Sequence, residues 1–223
     1  MTSKEYGSIS VAVDFALFTI EMDRLQVLLV RRDEEPFKEC LSLPGVALKE
    51  KEALSEAAYR CLKEEPGLVD RVYMEQLYTW GEECNRDPRN RVISVSYFAL
   101  VDKNKLHTGE GTRVSEIAFW DVDEILEKEM ELAFDHREII KYARERIREK
   151  TEKNQLAFQL LGEEFTLPEL QRIYEILLGK ALYKANFRKN VKDLVEDTGK
   201  MRKEGAHRPS KLYRMSNKTL GSD

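Results

Sequence analysis

The sequence predicts an α+β protein of two domains, an acidic domain at residues 1–150 and a basic domain at residues 151–223. Strand-like segments rich in Val, Ile, Leu and Phe and a few helical patterns occupy the first domain. Two amphipathic helical patterns and a basic hairpin-like segment occupy the second. With 223 residues and a hydrophobic content of 42%, the chain can fill a core in each domain.

The distribution of charge supports this division better than the net charge of -4 does. Residues 151–223 carry 14 Lys and Arg against 10 Asp and Glu, a net charge of +4. Residues 1–150 carry 23 against 31, a net charge of -8. Between residues 180 and 218 the excess is larger still, with 12 basic and 4 acidic residues. An acidic domain followed by a basic one is the simplest partition.

The sequence lacks the signs of a secreted, membrane or zinc-binding protein. Its longest apolar runs are short and interrupted, as at Asp14, and it does not begin with a basic-then-apolar signal pattern. Cys40, Cys61 and Cys84 are odd in number and show no CxxC spacing, while the 3 histidines are scattered. We therefore expect a soluble, cytoplasmic protein with reduced thiols.

The first domain is predicted to begin with a β-hairpin. Residues 8–20 and 25–31 are strand-like, and the polar residues 21–24 join them. A loop is predicted at residues 41–45, and a helix over residues 53–65, where apolar residues recur at helical spacing. Three further strands are predicted at residues 73–79, 91–101 and 113–120.

A helix is predicted to begin at Asp135 and to close the first domain. Asp135 has the position of an N-cap, and Glu138 three residues later completes a capping box. For Asp135 a role as a cap is therefore favoured over a catalytic role. The charged run at residues 144–153 marks the expected boundary between the domains.

Two helices and a basic hairpin are predicted in the second domain. Thr166 as N-cap and Glu169 as its capping-box partner start the first helix, and Gly179 ends it. The second helix is predicted over residues 184–196, and residues 198–215 are predicted to form the hairpin. These are the parts of a winged helix-turn-helix, whose second helix enters the major groove of DNA.

Basic residues on the second helix and the hairpin predict a DNA-binding surface. The alternative is a charged helix that is only solvated, as most charged helices are. Asn186 and Arg188 are predicted to read bases, because Asn pairs with adenine and Arg with guanine through two hydrogen bonds. The other predicted DNA-binding residues are Lys184, Lys189 and Lys192 on the helix and, as phosphate contacts, Lys200, Arg202, Lys203, Arg208 and Lys211.

The helix at residues 53–65 raises a question about metal binding. Positions 61, 64 and 65 are neighbours on a helix surface, and glutamates at all three would offer Mg²⁺ the carboxylates it prefers. The first position is Cys61 instead, and a thiolate suits zinc rather than magnesium. Only a weak Mg²⁺ site at Glu64 and Glu65 then remains. From the helix alone, an ordinary amphipathic helix with Cys61 on its apolar side is the simpler interpretation.

This stretch resembles the box of the Nudix hydrolases. Val46 stands where that family has a glycine, and Cys61 replaces a glutamate that binds the catalytic metal in the family. The box falls on Val46, Glu52, Arg60, Cys61, Leu62, Glu64, Glu65, Gly67 and Leu68.

The resemblance extends over nearly the whole chain, to the branch of ADP-ribose pyrophosphatases and Nudix-related transcriptional regulators (NrtR family). The regulators carry a degenerate box and a C-terminal winged helix. The matching segments are residues 28–32, 35–38, 43–45, 77–81, 86–89 and 132–136, and in the second domain residues 165–170, 186–188, 208–209 and 212–213.

The resemblance implies a Nudix-type α/β/α sandwich with a mixed sheet, followed by a winged helix-turn-helix. It implies a homodimeric repressor that binds a double-stranded operator and senses ADP-ribose, a related NAD metabolite or a sugar, without catalytic residues or a required cofactor. The alternatives are a metal-dependent pyrophosphohydrolase that uses Mg²⁺, and a scaffold without a ligand. The ligand-binding residues expected from resemblance and chemistry are Arg32, Glu64, Glu65, Trp80 and Arg89.

Overall fold

The protein is described by a computed structural model. The chain divides into two compact units, Met1–Arg146 and Ile147–Asp223. In the part of the chain that the structure describes, no helix is long and apolar enough to cross a membrane. The described residues are 8–64, 72–102, 117–153, 156–203 and 209–216.

A mixed sheet forms the centre of the first unit. Its strands are β1 (Ser10–Glu21), β2 (Arg24–Arg31), β3 (Leu41–Ser42), β4 (Gly45–Ala47), β5 (Glu75–Trp80), β6 (Val92–Leu100) and β7 (Ile117–Asp121). The strand order is β3-β2-β1-β6-β5, and β4 pairs with β1 while β7 pairs with β2. Only the β1–β6 pair among these is parallel, so the predicted mixed sheet is confirmed.

The predicted hairpin of β1 and β2 is present. Glu21 pairs with Arg24, and the two residues between them, Met22 and Asp23, have φ angles of 49° and 62°. Positive φ at both central residues is the backbone of a two-residue turn that matches the twist of paired strands. Residues 13–19 of β1 are all buried, which places this strand in the middle of the core.

The segment predicted as a loop at residues 41–45 contains β3 and the start of β4, so that prediction was wrong. Leu41 and Ser42 pair with the end of β2, and Gly45 pairs with Asp14 of β1. Such short strands carry no alternating pattern of their own. Their pairing partners lie far away in the sequence, which is why local patterns miss them.

In the described part of the first unit, two helices accompany the sheet, α1 (Leu54–Glu64) and α2 (Val122–Glu127), and a third, α3 (His136–Lys153), begins there and continues past Arg146. α1 buries its apolar side, including Ala57, Ala58, Cys61 and Leu62, against β1. α2 was not predicted. It is a six-residue helix whose N-cap, Asp121, accepts a hydrogen bond from the Glu124 N–H.

The second unit contains a 3-10 helix (Leu156–Leu160), α4 (Leu167–Leu178), α5 (Lys184–Val191), β8 (Val195–Arg202) and β9 (Ser210–Met215). The predicted capping box of α4 is present, and Gly179 ends the helix with φ 67°. The predicted extension of α5 to Glu196 was wrong. Val195 and Glu196 belong to β8, where they pair with Met215 and Arg214.

Candidate functional site

A cavity of about 840 Å³ lies in the first unit, lined by β1, β2, β4, the loop that follows β5 and the start of α3. Its volume falls in the usual range for ligand sites, roughly 300 to 1,000 Å³. The lining carries four arginines and four carboxylates. Guanidinium groups bind carboxylates and phosphates through paired N–H groups, so the arginines can bind an anionic group of a ligand. The charged residues of its lining are Arg31, Arg32, Arg86, Arg89, Asp14, Asp33, Glu34 and Asp87.

Asp14 is a buried carboxylate in the cavity wall. It is 6% exposed, and its Oδ2 accepts hydrogen bonds from Ser94 Oγ at 2.5 Å and Arg86 Nη2 at 3.4 Å. Gly45 lies opposite, where an added Cβ would stand 2.5 Å from Asp14 Oδ1. Hydrogen bonds therefore fix Oδ2 of the carboxylate, and Oδ1 occupies space that a side chain at position 45 would fill.

Arg86 links this carboxylate to the start of α3. Its Nε donates to Asp135 Oδ2 at 2.8 Å, and its Nη2 bonds the other oxygen of Asp135. Burial by itself would lower the pKa of Arg86, but the bonds to Asp135 and the attraction of Asp14 outweigh burial and raise the pKa. The Asp135 carboxylate, which the sequence suggested as a helix cap, thus belongs to the ion-pair network beside the cavity.

His136 lies next to Asp14 and is 3% exposed. Its Nδ1 accepts a hydrogen bond from the Leu43 N–H at 2.9 Å, and its Nε2 lies 3.7 Å from Asp14 Oδ1. Burial lowers the pKa of His136 below its ordinary value despite the nearby carboxylates, so the ring is neutral near pH 7. Since Nδ1 accepts, the neutral ring carries its proton on Nε2, on the side of Asp14.

Two arginines flank the ring of Phe134. The Arg32 guanidinium lies 4.9 Å from the ring centroid and that of Arg89 lies 5.8 Å from it. Arg32 Nε donates to the Pro36 carbonyl at 2.8 Å, and Arg89 Nη2 donates to Asp87 Oδ2 at 2.7 Å. The bonds from Arg89 lower the pKa of Asp87. Both predicted ligand arginines therefore line the cavity in fixed positions.

The described residues of the Nudix box do not form a magnesium site. Arg60 Nε bonds Glu52 at 2.6 Å, and Arg60 Nη1 bonds Glu64 at 3.2 Å. The hydrogen bond from Arg60 lowers the pKa of Glu52 to about 2. Cys61 is fully buried in the apolar core, and Glu65 lies outside the described residues. Among the residues described, no group of three or more His, Cys, Asp or Glu is placed to hold a metal ion.

Trp80 does not line the cavity, although it was expected to bind the ligand. Its ring packs against Tyr78 and Tyr142 at centroid distances of 5.2 and 5.9 Å. Its Nε1–H donates to Ser96 Oγ at 2.9 Å. Trp80 thus fastens β5 to β6 and α3.

Sequence reasoning missed Asp14, Arg86, Phe134 and His136 as cavity residues. The available signal for Asp14 was a lone carboxylate in the middle of an apolar strand, since such a group needs a partner. Arg86, Phe134 and His136 lie in segments that supported the family resemblance, yet no local pattern indicated that they meet.

The second unit presents a cationic helix surface. On α5, Phe187 and Val191 are buried, and the Phe187 ring lies 5.4 Å from that of Tyr174 on α4. Within the part of the chain that the structure describes, none of the cations on the opposite side is held in an ion pair. The predicted DNA-binding residues of this segment are all exposed: Lys184, Asn186, Arg188 and Lys189 on α5 and its C-cap residue Lys192.

Two lysines of the β8–β9 hairpin sit in surface ion pairs. Lys200 Nζ lies 2.6 Å from Glu164 Oε1, and Lys211 Nζ lies 2.7 Å from Asp197 Oδ2. Exposed pairs of this kind contribute only about 0 to 1 kcal/mol. A DNA phosphate can therefore replace either carboxylate.

Arg202 has a different environment from the other basic residues of the hairpin. It is half-buried and bonds Glu169, whose carboxylate also accepts from the Thr166 N–H at 2.7 Å. Burial opposes ionisation of Glu169, but these bonds lower its pKa. Lys203 is exposed, and Arg208 lies outside the described residues.

The chain matches two domain families over most of its length. These are the NUDIX domain at residues 11–143 and the NrtR DNA-binding winged helix domain at residues 157–215. The chain is also 37% identical over 216 residues to the ADPR responsive transcriptional repressor NtrR of Acinetobacter baylyi, covering 95% of this chain and 84% of that protein.

Two solved structures resemble the protein. Shewanella oneidensis NrtR complexed with a 27mer DNA has a TM-score of 0.80 and 38% identity, with 94% of each chain covered. The Nudix domain of Shewanella oneidensis NrtR complexed with ADP ribose has a TM-score of 0.57 and 35% identity, covering 66% of this chain and 94% of that one.

These matches confirm the predicted fold class and the predicted family. The similarity extends through both units, because the matched ranges cover residues 11–143 and 157–215. The chain therefore belongs to the NrtR family of Nudix-related, DNA-binding transcriptional regulators.

Proposed function

We propose that this protein is a transcriptional repressor that binds a double-stranded operator through α5 and the β8–β9 hairpin and responds to ADP-ribose bound in the cavity of its Nudix-like domain. The observation that carries the proposal is the cavity of about 840 Å³ with its four arginines. The A. baylyi repressor is named as responsive to ADPR, and the S. oneidensis Nudix domain binds ADP ribose.

The cavity suits a nucleoside diphosphate sugar in size, and two of its arginines can bind the diphosphate. Arg32 and Arg89 line it, and both are held by neighbouring acceptors that leave further N–H groups of each guanidinium for a ligand. Arginines fixed in this way lose little conformational entropy when they bind a diphosphate. We assign the diphosphate to these two residues.

Sensing without cleavage follows from the state of the Nudix box. Arg60 holds both Glu52 and Glu64, and Cys61 supplies no hard ligand to Mg²⁺. A bound diphosphate is then not activated by a metal between these residues, so it persists long enough to report its concentration.

On the DNA side, we assign base reading to Asn186 and Arg188 of α5 and phosphate contacts to Lys184, Lys189 and the C-cap residue Lys192. In the hairpin we assign further phosphate contacts to Lys200, Lys203, Arg208 and Lys211. A winged helix of this family places one recognition helix per half-site, which supports a homodimer on a two-fold operator. A regulator of chromosomal DNA acts in the cytoplasm of a bacterial-type cell.

The test begins with selection of a bound fragment from genomic DNA. Fluorescence anisotropy on the labelled fragment then follows full-length protein with increasing ADP-ribose, and AMP and ribose serve as ligand controls. ADP-ribose is expected to weaken the complex, while Arg89→Gln is expected to abolish the response and Arg137→Gln, on α3 outside the cavity lining, to preserve it. Unchanged DNA affinity at saturating ADP-ribose would contradict the proposal.

A further inference from the structure

The buried end of the cavity differs chemically from its arginines. Asp14 and His136 are 6% and 3% exposed, whereas the Arg89 side chain is 53% exposed. We call Asp14 and His136 the hydroxyl pair. A phosphate placed against this pair would meet the carboxylate of Asp14, so the anionic part of a ligand belongs at the arginines and an uncharged part belongs at the pair.

The geometry of the hydroxyl pair selects one kind of ligand group. Asp14 Oδ2 is occupied by Ser94 and Arg86, and Oδ1 lies 3.7 Å from His136 Nε2. That separation exceeds the usual hydrogen-bond distance of about 2.7 to 3.2 Å. One atom lying about 2.8 Å from both can bond each of them. Both residues line the cavity.

The atom that bridges the pair must donate and accept at once. A carboxylate oxygen only accepts, and Nε2 of His136 donates because Nδ1 is already accepting from Leu43. A phosphate oxygen cannot donate to Asp14, and an ammonium cannot accept from His136. A hydroxyl does both, and it reproduces the bonds of any water that it displaces.

We infer that Asp14 and His136 bind a ribose hydroxyl of the ligand and make the cavity specific for sugar-bearing diphosphates. This inference rests on the proposed function, and it adds the polarity of binding: diphosphate at Arg32 and Arg89, sugar at Asp14 and His136. Gly45 permits the arrangement, since a Cβ there would stand 2.5 Å from Asp14 Oδ1.

The experiment is a double-mutant cycle between the protein and the ligand, measured by calorimetry on the full-length chain. The ligands are ADP-ribose and analogues that each lack one ribose hydroxyl. The protein variants are Asp14→Asn and, as a matched control of the same charge change in the cavity lining, Asp33→Asn. One deoxy analogue is expected to bind the unmodified protein about tenfold or more weakly, as expected for a lost bond to a charged group.

The Asp14→Asn variant is expected to bind ADP-ribose about as weakly as the unmodified protein binds the affected deoxy analogue. Its affinities for ADP-ribose and for this analogue should differ less than twofold. Asp33→Asn should keep the full discrimination. If Asp14→Asn does not fold, His136→Gln completes the cycle. The inference is overturned if no deoxy analogue loses affinity, or if the variant discriminates as well as the unmodified protein.

Failure of this inference can be told apart from failure of the proposed function. If ADP-ribose does not bind the unmodified protein at all, both are overturned. If ADP-ribose binds and releases the operator while the cycle shows no coupling to position 14 or 136, only the assignment of the hydroxyl pair is wrong.

Discussion

At the scale of single residues, His136 makes stability depend on pH. Burial holds the pKa of His136 below its ordinary value, which is about 6.5 in an unfolded chain. Below that pH the unfolded chain takes up a proton that the folded chain does not, so the free energy of unfolding falls as pH falls. Urea unfolding at pH 7.5 and pH 5.5 is expected to show the loss, and His136→Gln should flatten it.

The matched control for this measurement is His107→Gln, which removes a histidine elsewhere in the chain. Carboxylates do not contribute to the pH dependence between pH 5.5 and 7.5. Glu52 is an example: its pKa is lowered to about 2 in the folded protein, so the stability that it contributes is lost only below its pKa in the unfolded chain, about 4.3. Equal pH dependence in the His136→Gln variant and the unmodified protein would show that His136 is not the group responsible.

Cys61 gives a second prediction at this scale. The residue is fully buried among the apolar side chains of the core. Cys61→Glu therefore buries a carboxylate, which is expected to reduce the free energy of unfolding by about 3 to 5 kcal/mol. We do not expect Mg²⁺-dependent cleavage of ADP-ribose to appear, because Arg60 still holds Glu52 and Glu64.

Denaturant unfolding and an assay for released AMP check this prediction together. Cys61→Ala is the control, since it leaves only a small cavity and is expected to lose about 1 kcal/mol. A Cys61→Glu variant with unchanged stability and clear turnover would mean that the side chain at position 61 reaches a metal. The unmodified protein should show no detectable turnover in the same assay.

At the scale of elements, α5 shows the limit of periodic patterns. Phe187, Val191 and Leu194 have helical spacing, and this spacing predicted a helix to Glu196. In the structure the helix ends at Val191, and Val195 pairs with Met215. Pairing with a strand 20 residues away ends the helix here. A local spacing pattern carries no information about such pairing. By contrast, the α4 cap is a contact within four residues and was predicted correctly.

A third prediction distinguishes α5 from the hairpin. Arg188→Ala is expected to weaken specific operator binding by about 1 to 3 kcal/mol and to relax preference at one base position. Lys200→Ala should weaken binding to all sequences alike and lower the salt slope by about 1. Competition assays with single-base operator variants at several salt concentrations check both.

Lys141→Ala, which removes an exposed lysine of α3 in the first unit, serves as the control for nonspecific charge loss. Equal losses on all sequences for Arg188→Ala would make this residue a phosphate contact. Loss of base preference for Lys200→Ala would place the hairpin, rather than α5, at the bases.

At the scale of the whole molecule, the proposed DNA-binding part and the proposed ligand-binding part differ in charge. The basic excess lies at residues 180–218, while residues 1–150 carry a net charge of -8. Operator affinity is expected to fall with salt with a log-log slope of roughly -4 or steeper for two half-sites, at about 0.9 per neutralised phosphate. A titration between 50 and 300 mM KCl by anisotropy measures the slope, and a flat response would contradict a groove-binding regulator.

The charge difference between the two parts of the chain can be read from the sequence, because charge and motifs are grouped along it. The cavity could not be predicted in this way. Asp14 meets Ser94 through the parallel pairing of β1 with β6 and meets Gly45 through β4, and α3 brings His136 to the same place. Of the predicted ligand residues in the described part of the chain, Arg32 and Arg89, expected from resemblance and chemistry, line the cavity. The contacts of Asp14 arise from long-range topology, which local patterns do not show.

The contact between Gly45 and Asp14 restricts the order in which the protein can change. A methyl group at position 45 would stand 2.5 Å from the Asp14 carboxylate, and the pairing of these two residues in adjacent strands prevents the backbone from moving apart. Alanine at position 45 thus becomes acceptable only after position 14 has taken a smaller side chain. Lineages that keep the carboxylate at position 14 must keep the glycine at position 45. Lineages that replace Asp14 by a smaller residue can also change position 45.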